Sequence, residues 1–181
     1  MEACQVAENK EFEAGTQTFL EFVEVLKSRE TCQLTSSGLE KLVRTDGFEL
    51  LRQLLQDHLD YRGPGRVEEP VVGADDVTRT ESRPGPRNLD TVVGRVVVNR
   101  MGYGKPGVNS LFPLDAALNL PREVQSFGIR EDLAIEASKS SYGETVNSVE
   151  RSTTVAVGQR QAEELVTKAA QDFDSFYETR Q

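Results

Sequence analysis

The chain predicts an α+β protein with a helical N-terminal unit, a β-hairpin middle and a helical C-terminal unit in a helix-turn-helix-like arrangement. Two observations carry this. Apolar residues recur at helical spacing over residues 7–30 and again beyond residue 157, while β-branched pairs gather between residues 63 and 107, among most of the prolines. A length of 181 residues with 37% hydrophobic positions is enough for one domain or two small ones with a modest core. The segments divide as 1–62, 63–110 and 111–181.

Phe12, Phe19, Phe22, Val23 and Leu26 form the core-facing stripe of a first amphipathic helix. Ser37-Gly-Leu-Glu40 and Asp46-Gly-Phe-Glu49 each place a capping oxygen three residues before a carboxylate, so each predicts a helix start. The second of these runs through Leu50, Leu51, Leu54, Leu55 and Leu59 and stops at Gly63-Pro64-Gly65.

In the middle segment, Val71-Val72, Val92-Val93 and Val96-Val97-Val98 read as strands. A turn at Ala74-Asp75-Asp76 makes one hairpin, and a turn near Gly94 makes another by pairing residues 89–93 with 95–101. Alternation puts Val96, Val98 and Arg100 on one face and Val97, Asn99 and Met101 on the other. Tyr103-Gly104-Lys105-Pro106-Gly107 then reads as a turn.

A short helical stretch to Leu120 follows. Pro121 suits a helix's first position, which predicts a helix from there to Ser140 that buries Val124, Phe127, Ile129, Leu133 and Ala137. Ser141-Tyr142-Gly143 interrupts it, and Glu144 to Arg151 is a short helix. The last helix starts near Val157, with Ala162, Leu165, Val166, Ala169, Phe173 and Tyr177 on one apolar face.

Composition excludes several classes. No apolar run is long enough to span a bilayer, and the N-terminus has neither the basic nor the apolar region of a signal peptide, so the expectation is a cytoplasmic protein with no membrane partner. Two cysteines (Cys4, Cys32) and one histidine (His58) cannot build a four-ligand zinc site. Phosphate-binding, dinucleotide, metalloprotease and nucleophile-elbow motifs are absent. Asp75-Asp76 and Glu163-Glu164 read as solvated acids, because sequence neighbours on a helix point apart.

A net charge of −9 opposes phosphate binding by the chain as a whole. The charge is uneven, however: residues 77–105 hold Arg79, Arg83, Arg87, Arg95, Arg100 and Lys105 against only Glu81 and Asp90. Such a segment is either a phosphate-contacting hairpin or a solvated one whose charged edges prevent sheet-to-sheet pairing. In the C-terminal unit, a short helix, a turn and a longer helix have the layout of a helix-turn-helix, whose second helix reads base edges with its first residues. Those residues are Gln159, Arg160 and Gln161, types suited to adenine and guanine, with Lys168 farther along toward a phosphate. The competing reading is an ordinary helical hairpin.

Three separated blocks carry a family resemblance: "VVGADDVTRTESRPGPRNLDTVVGRVVVNRMGYG", "SLFPLDAALNLP" and "RQAEELVTKAAQDFDSFYE", preceded by "GFELLRQLLQDHLDYR". In order and spacing, residues 37–181 resemble the N-terminal half of the ISKra-type bacterial insertion-sequence transposases. The resemblance implies binding to the terminal inverted repeats of a mobile element. It assigns phosphate contacts to Arg95, Arg100 and Lys105 of the basic hairpin, and base contacts to the C-terminal helices. In that family a ribonuclease-H-like domain with an Asp-Asp-Glu triad and a divalent metal such as Mg cuts and joins the strands. This chain stops before the family's first catalytic aspartate, so the resemblance implies no catalytic residue and no cofactor here, and inactivity alone in transposition. Two alternatives stay open. One is an interaction remnant that dimerises or modulates a full-length transposase through its apolar helices. The other is half of an enzyme completed in a shifted frame.

Overall fold

The computed structural model describes residues 11–178, with side chains described for 11–170. The architecture is mixed α+β, with an N-terminal helical pair, a central region of small sheets and a C-terminal cluster of helices. The chain forms two compact units. One takes the chain up to Arg87 together with Val96–Leu118, and the other takes Asn88–Arg95 together with the chain from Asn119 onward.

In the first unit, α1 (Glu13–Lys27) packs on α2 (Ser36–Tyr61), joined by a 3-10 turn at Thr31–Gln33. The two helix starts expected at Ser37 and Asp46 are one continuous helix. Its cap is Thr35, whose hydroxyl accepts from the Gly38 amide at 3.3 Å. Extending an existing helix through Asp46-Gly47 needs no new nucleus, and that outweighs the roughly 1 kcal/mol penalty of an interior glycine. Gly15 is the close point of the pair: a Cβ there would lie 2.7 Å from Leu54 Cδ2, and the Gly15 amide donates to Asp57 at 2.6 Å.

β1 (Val71–Val72) and β2 (Thr78–Arg79) form the hairpin expected around Asp75. Asp75 is exposed, as anticipated for a solvated acid, and is also ion-paired. It accepts from both Nη atoms of buried Arg79, at 2.8 and 3.0 Å, while Arg79 Nε donates to the Asn109 carbonyl. That grip holds the Asp75 carboxyl down to about 2.

β3 (Glu81–Pro84), β6 (Met101–Lys105) and β7 (Val108–Leu111) make an antiparallel sheet with β6 in the centre. Residues 103–105, expected in a turn, are thus mostly strand, and only Pro106-Gly107 turns. Tyr103 is buried, and its hydroxyl accepts from the Val67 amide at 2.7 Å. β4 (Arg87–Thr91) and β5 (Gly94–Val98) form the second expected hairpin. Val96 and Val98 are buried and Val97 is exposed, as alternation requires. The alternation breaks at Met101, which is buried as the start of β6.

α3 (Pro113–Ala117) closes this unit. Ahead of it, Phe112 lies over Gly85 and Gly102, where an added Cβ would meet its ring at 2.6 and 2.7 Å.

In the second unit, α4 (Phe127–Ala137) begins six residues later than the proline suggested. The reason is pairing. The Asp90 amide donates to the Val124 carbonyl and the Ser126 amide to the Asp90 carbonyl, both at 2.8 Å, which holds residues 124–126 extended. Ser126 then caps the helix through the Ile129 amide. Val124 and Phe127 are exposed as a result, and Ala137 is only half-buried.

α5 (Tyr142–Thr153) opens with a reciprocal capping box between Ser141 and Glu144, so the expected break is a helix start. α6 is Gln159–Glu178. Ile129, Leu133, Val149, Val155, Val157, Ala162 and Leu165 form the core of the unit. Ala169, expected on the apolar face of α6, is exposed, and the side chains of Phe173 and Tyr177 lie outside the described residues, as does Cys4.

Candidate nucleic-acid interface

The residues singled out in the sequence sit in different electrostatic settings. On the first unit, Arg100 is nearly buried, with its side chain 11% exposed. Its Nε donates to the Gly85 carbonyl at 2.9 Å, its guanidinium stacks 3.9 Å from the centroid of Phe112, and Nη1 bonds Asp115. Asp115 also faces Arg87 at 3.9 Å. Arg100, just ahead of β6, therefore ties that strand's start to the β3–β4 link at Gly85 and to α3.

Lys105, at the end of β6, is exposed and makes no ion pair among the described residues. It rims a cleft of about 280 Å³ whose other cation is Arg83 on β3. Arg83 donates to the Ser110 hydroxyl at 3.4 Å across this cleft. Gly104 leaves the floor open, since a Cβ there would stand 3.3 Å from that hydroxyl. Glu81 at the rim offsets one of the two charges. Arg83 belonged to the basic run in the sequence but not to its chosen hairpin, because the pairing of β3 with β6 joins strands far apart in the chain.

On the second unit, Arg95 is anchored. Its Nε and Nη2 reach both carboxylate oxygens of Asp90 at 2.6 and 3.1 Å, with Asp90 buried and Arg95 62% exposed. The outward edge of that guanidinium remains open to an anion. Gln159 and Arg160 stand exposed in the first turn of α6, after the turn 154–158 in which Thr154 takes the left-handed conformation. Arg160 is tied to Glu164 at 3.3 Å, and Gln161 donates to the Gln125 side chain at 3.1 Å.

Lys168 bonds Glu123 at 2.8 Å, and Glu123 also accepts from Arg130. The Lys168 ammonium first, with Arg130 adding, holds the Glu123 carboxyl at about 2, against an ordinary 4.5. A depressed carboxylate stabilises the fold fully above about pH 4.5 and loses that contribution as the pH falls toward 2. Glu123→Gln is thus expected to lower the urea midpoint at pH 7, by an amount equivalent to about 1 kcal/mol. The gap from the unaltered protein should close as the pH drops through that window, and a gap constant with pH would refute the assignment.

Among the described residues, no group of three or more His, Cys, Asp or Glu side chains could hold a metal ion. His58 and Cys32 are exposed and lie apart from these clusters. No helix among the described residues is long and apolar enough to cross a membrane. The chain matches no protein-family model and no curated protein.

Proposed function

We propose that this chain is a DNA-recognition region of an ISKra-type transposase, which binds the terminal repeats of its element. The observation that carries the reading is the α5–turn–α6 layout, with Gln159 and Arg160 open at the first turn of the second helix. It stands beside the ordered resemblance of the three sequence blocks. Phosphate contacts fall to Lys105 and Arg83 at the sheet cleft and to the outer edge of Arg95. Arg100 drops out, because its donors are committed within the fold.

The ion pairs on α6 do not oppose the reading. Exposed pairs such as Arg160–Glu164 contribute only about 0–1 kcal/mol, so a phosphate or a guanine edge can displace the carboxylate. The acidic remainder of the chain makes nonspecific affinity low and leaves binding dependent on a few contacts.

Fluorescence anisotropy tests this at about 100 mM salt, with one duplex carrying the element's terminal repeats and another of scrambled sequence. Binding is expected to be tighter to the repeats. Arg160→Ala should cost about 1–3 kcal/mol of that discrimination. Arg83→Ala and Lys105→Ala should weaken both duplexes alike and flatten the salt slope by about 1 each. Equal affinity for the two duplexes would refute the proposal.

A further inference from the structure

The central strand β6 carries Gly102 and Gly104, and the residues beside them make a small groove. In the antiparallel register Glu81 faces Gly104 and Arg83 faces Gly102, so both β3 side chains stand on the glycine-bearing face of the sheet. On the other flank Leu111 pairs with Tyr103, which puts its neighbour Ser110 on that same face beside Gly104. Arg83 Nη2 donates to the Ser110 hydroxyl at 3.4 Å across the gap. Phe112 covers Gly102, where an added Cβ would meet its ring at 2.7 Å, whereas only the Ser110 hydroxyl, at 3.3 Å, approaches the same position on Gly104. The open floor is therefore one residue long.

The polar groups around this floor keep most of their bonding capacity. The single bond to Ser110 leaves most guanidinium donors of Arg83 available, and the Ser110 hydroxyl, as the acceptor, keeps its proton to donate. Lys105 lines the same cleft, and neither it nor Glu81 makes an ion pair among the described residues. An unpaired carboxylate beside two cations is a poor arrangement for a bare anion, because Glu81 repels what Arg83 and Lys105 attract. A ligand that satisfies all of them carries a phosphate and, close to it, a hydrogen-bond donor for Glu81. A duplex backbone brings no such donor, since the hydroxyls of its sugars are esterified.

We propose that this cleft binds a small phosphorylated sugar, with the phosphate held by Arg83, Lys105 and the Ser110 hydroxyl and neighbouring ring hydroxyls donating to the two carboxylate oxygens of Glu81. The inference rests on the DNA reading only in taking Arg83 and Lys105 as phosphate contacts. Size agrees with it: a cleft of about 280 Å³ is close to the roughly 300 Å³ at which small-ligand sites begin. Glu81 and Arg83, two residues apart on one strand, are separated by about 7 Å, comparable to the span from the phosphate of a phosphorylated pentose to its ring hydroxyls. A carboxylate that accepts from a sugar hydroxyl is also how dinucleotide-binding folds hold a ribose. Pro106 and Val108 line the cleft as apolar surface for the sugar carbons. With Gly102 covered by Phe112, the groove takes one phosphate and no run of them.

Nuclear magnetic resonance titration of the full chain without DNA tests this, with ribose 5-phosphate, inorganic phosphate and ribose as probes. Ribose 5-phosphate is expected to bind with a dissociation constant of about 1 mM or tighter, shifting the Arg83, Gly104 and Ser110 amides. Inorganic phosphate should bind about fivefold more weakly, and ribose not at all. Arg83→Ala should weaken both phosphate probes about tenfold. Glu81→Ala separates the proposal from simple attraction. It should weaken ribose 5-phosphate about threefold yet tighten inorganic phosphate, because a carboxylate that accepts from the sugar also repels a bare anion. Circular dichroism of both variants should match that of the unaltered protein, since Glu81 and Arg83 are exposed. Adenosine 5′-monophosphate tells the two sources of such a ligand apart: affinity at least equal to that of ribose 5-phosphate assigns the cleft to nucleotides, and weaker affinity assigns it to free sugar phosphates. Absence of binding at about 10 mM, equal affinity for ribose 5-phosphate and inorganic phosphate, shifts confined to other residues, or Glu81→Ala tightening both probes overturns the proposal. The comparison of repeat with scrambled duplex is unaffected by any of these results, so the two readings fail separately.

Discussion

Arg100→Ala is expected to destabilise the N-terminal unit by about 3–5 kcal/mol, the largest single effect anticipated for an arginine in this chain. The loss is more than one ion pair. Asp115 is left mostly buried with only Arg87 near it, and its Oδ1 already lacks a hydrogen-bond partner. The Gly85 carbonyl loses a donor, and Phe112 loses the guanidinium stacked on it. Urea unfolding followed by circular dichroism, with hydrogen exchange in β3 and β6 to locate the loss, checks this. Adding Asp115→Asn should recover part of the stability, because the abandoned carboxylate is then uncharged. A surface phosphate contact would behave differently, with DNA affinity falling and the unfolding midpoint staying put.

Leu133→Ala is expected to cost the C-terminal unit about 2–5 kcal/mol. Leu133 is fully buried, within a core contributed by all three helices and by the Val155 and Val157 turn. The chain folds as two units, so two unfolding steps are anticipated, and only the one belonging to α4–α6 should move. Ile135→Ala, on the same helix but 46% exposed, is the control and should shift nothing by more than about 0.5 kcal/mol.

Local chemistry was readable where one residue decides locally. Ser141 with Glu144 caps a helix, Asp75 turns a hairpin, and Val96 and Val98 face inward, each because its partner lies within a few positions. Pro121 misled because its preference for a helix start competes with backbone pairing to Asp90, some thirty residues earlier. Asp46-Gly47 misled because a capping pattern starts a helix only where the chain on its N-terminal side is outside the helical path, and here α2 is already under way. At the candidate interface, sequence marked the cations but not their partners. Charge type is local; whether Arg100 meets a phosphate or Asp115 depends on which strands come together.

By itself, the sequence determined the α+β class, the helical ends with β-hairpins between them, and the one basic stretch in an acidic chain, because these follow from periodicity and composition. Only the tertiary structure decided that Arg100 and Arg95 are anchored while Arg83 and Lys105 stand open, and that several apolar side chains of the N-terminal helical pair stay exposed. Ion pairing and burial are set by residues brought from elsewhere in the chain, and no window of local sequence contains both partners.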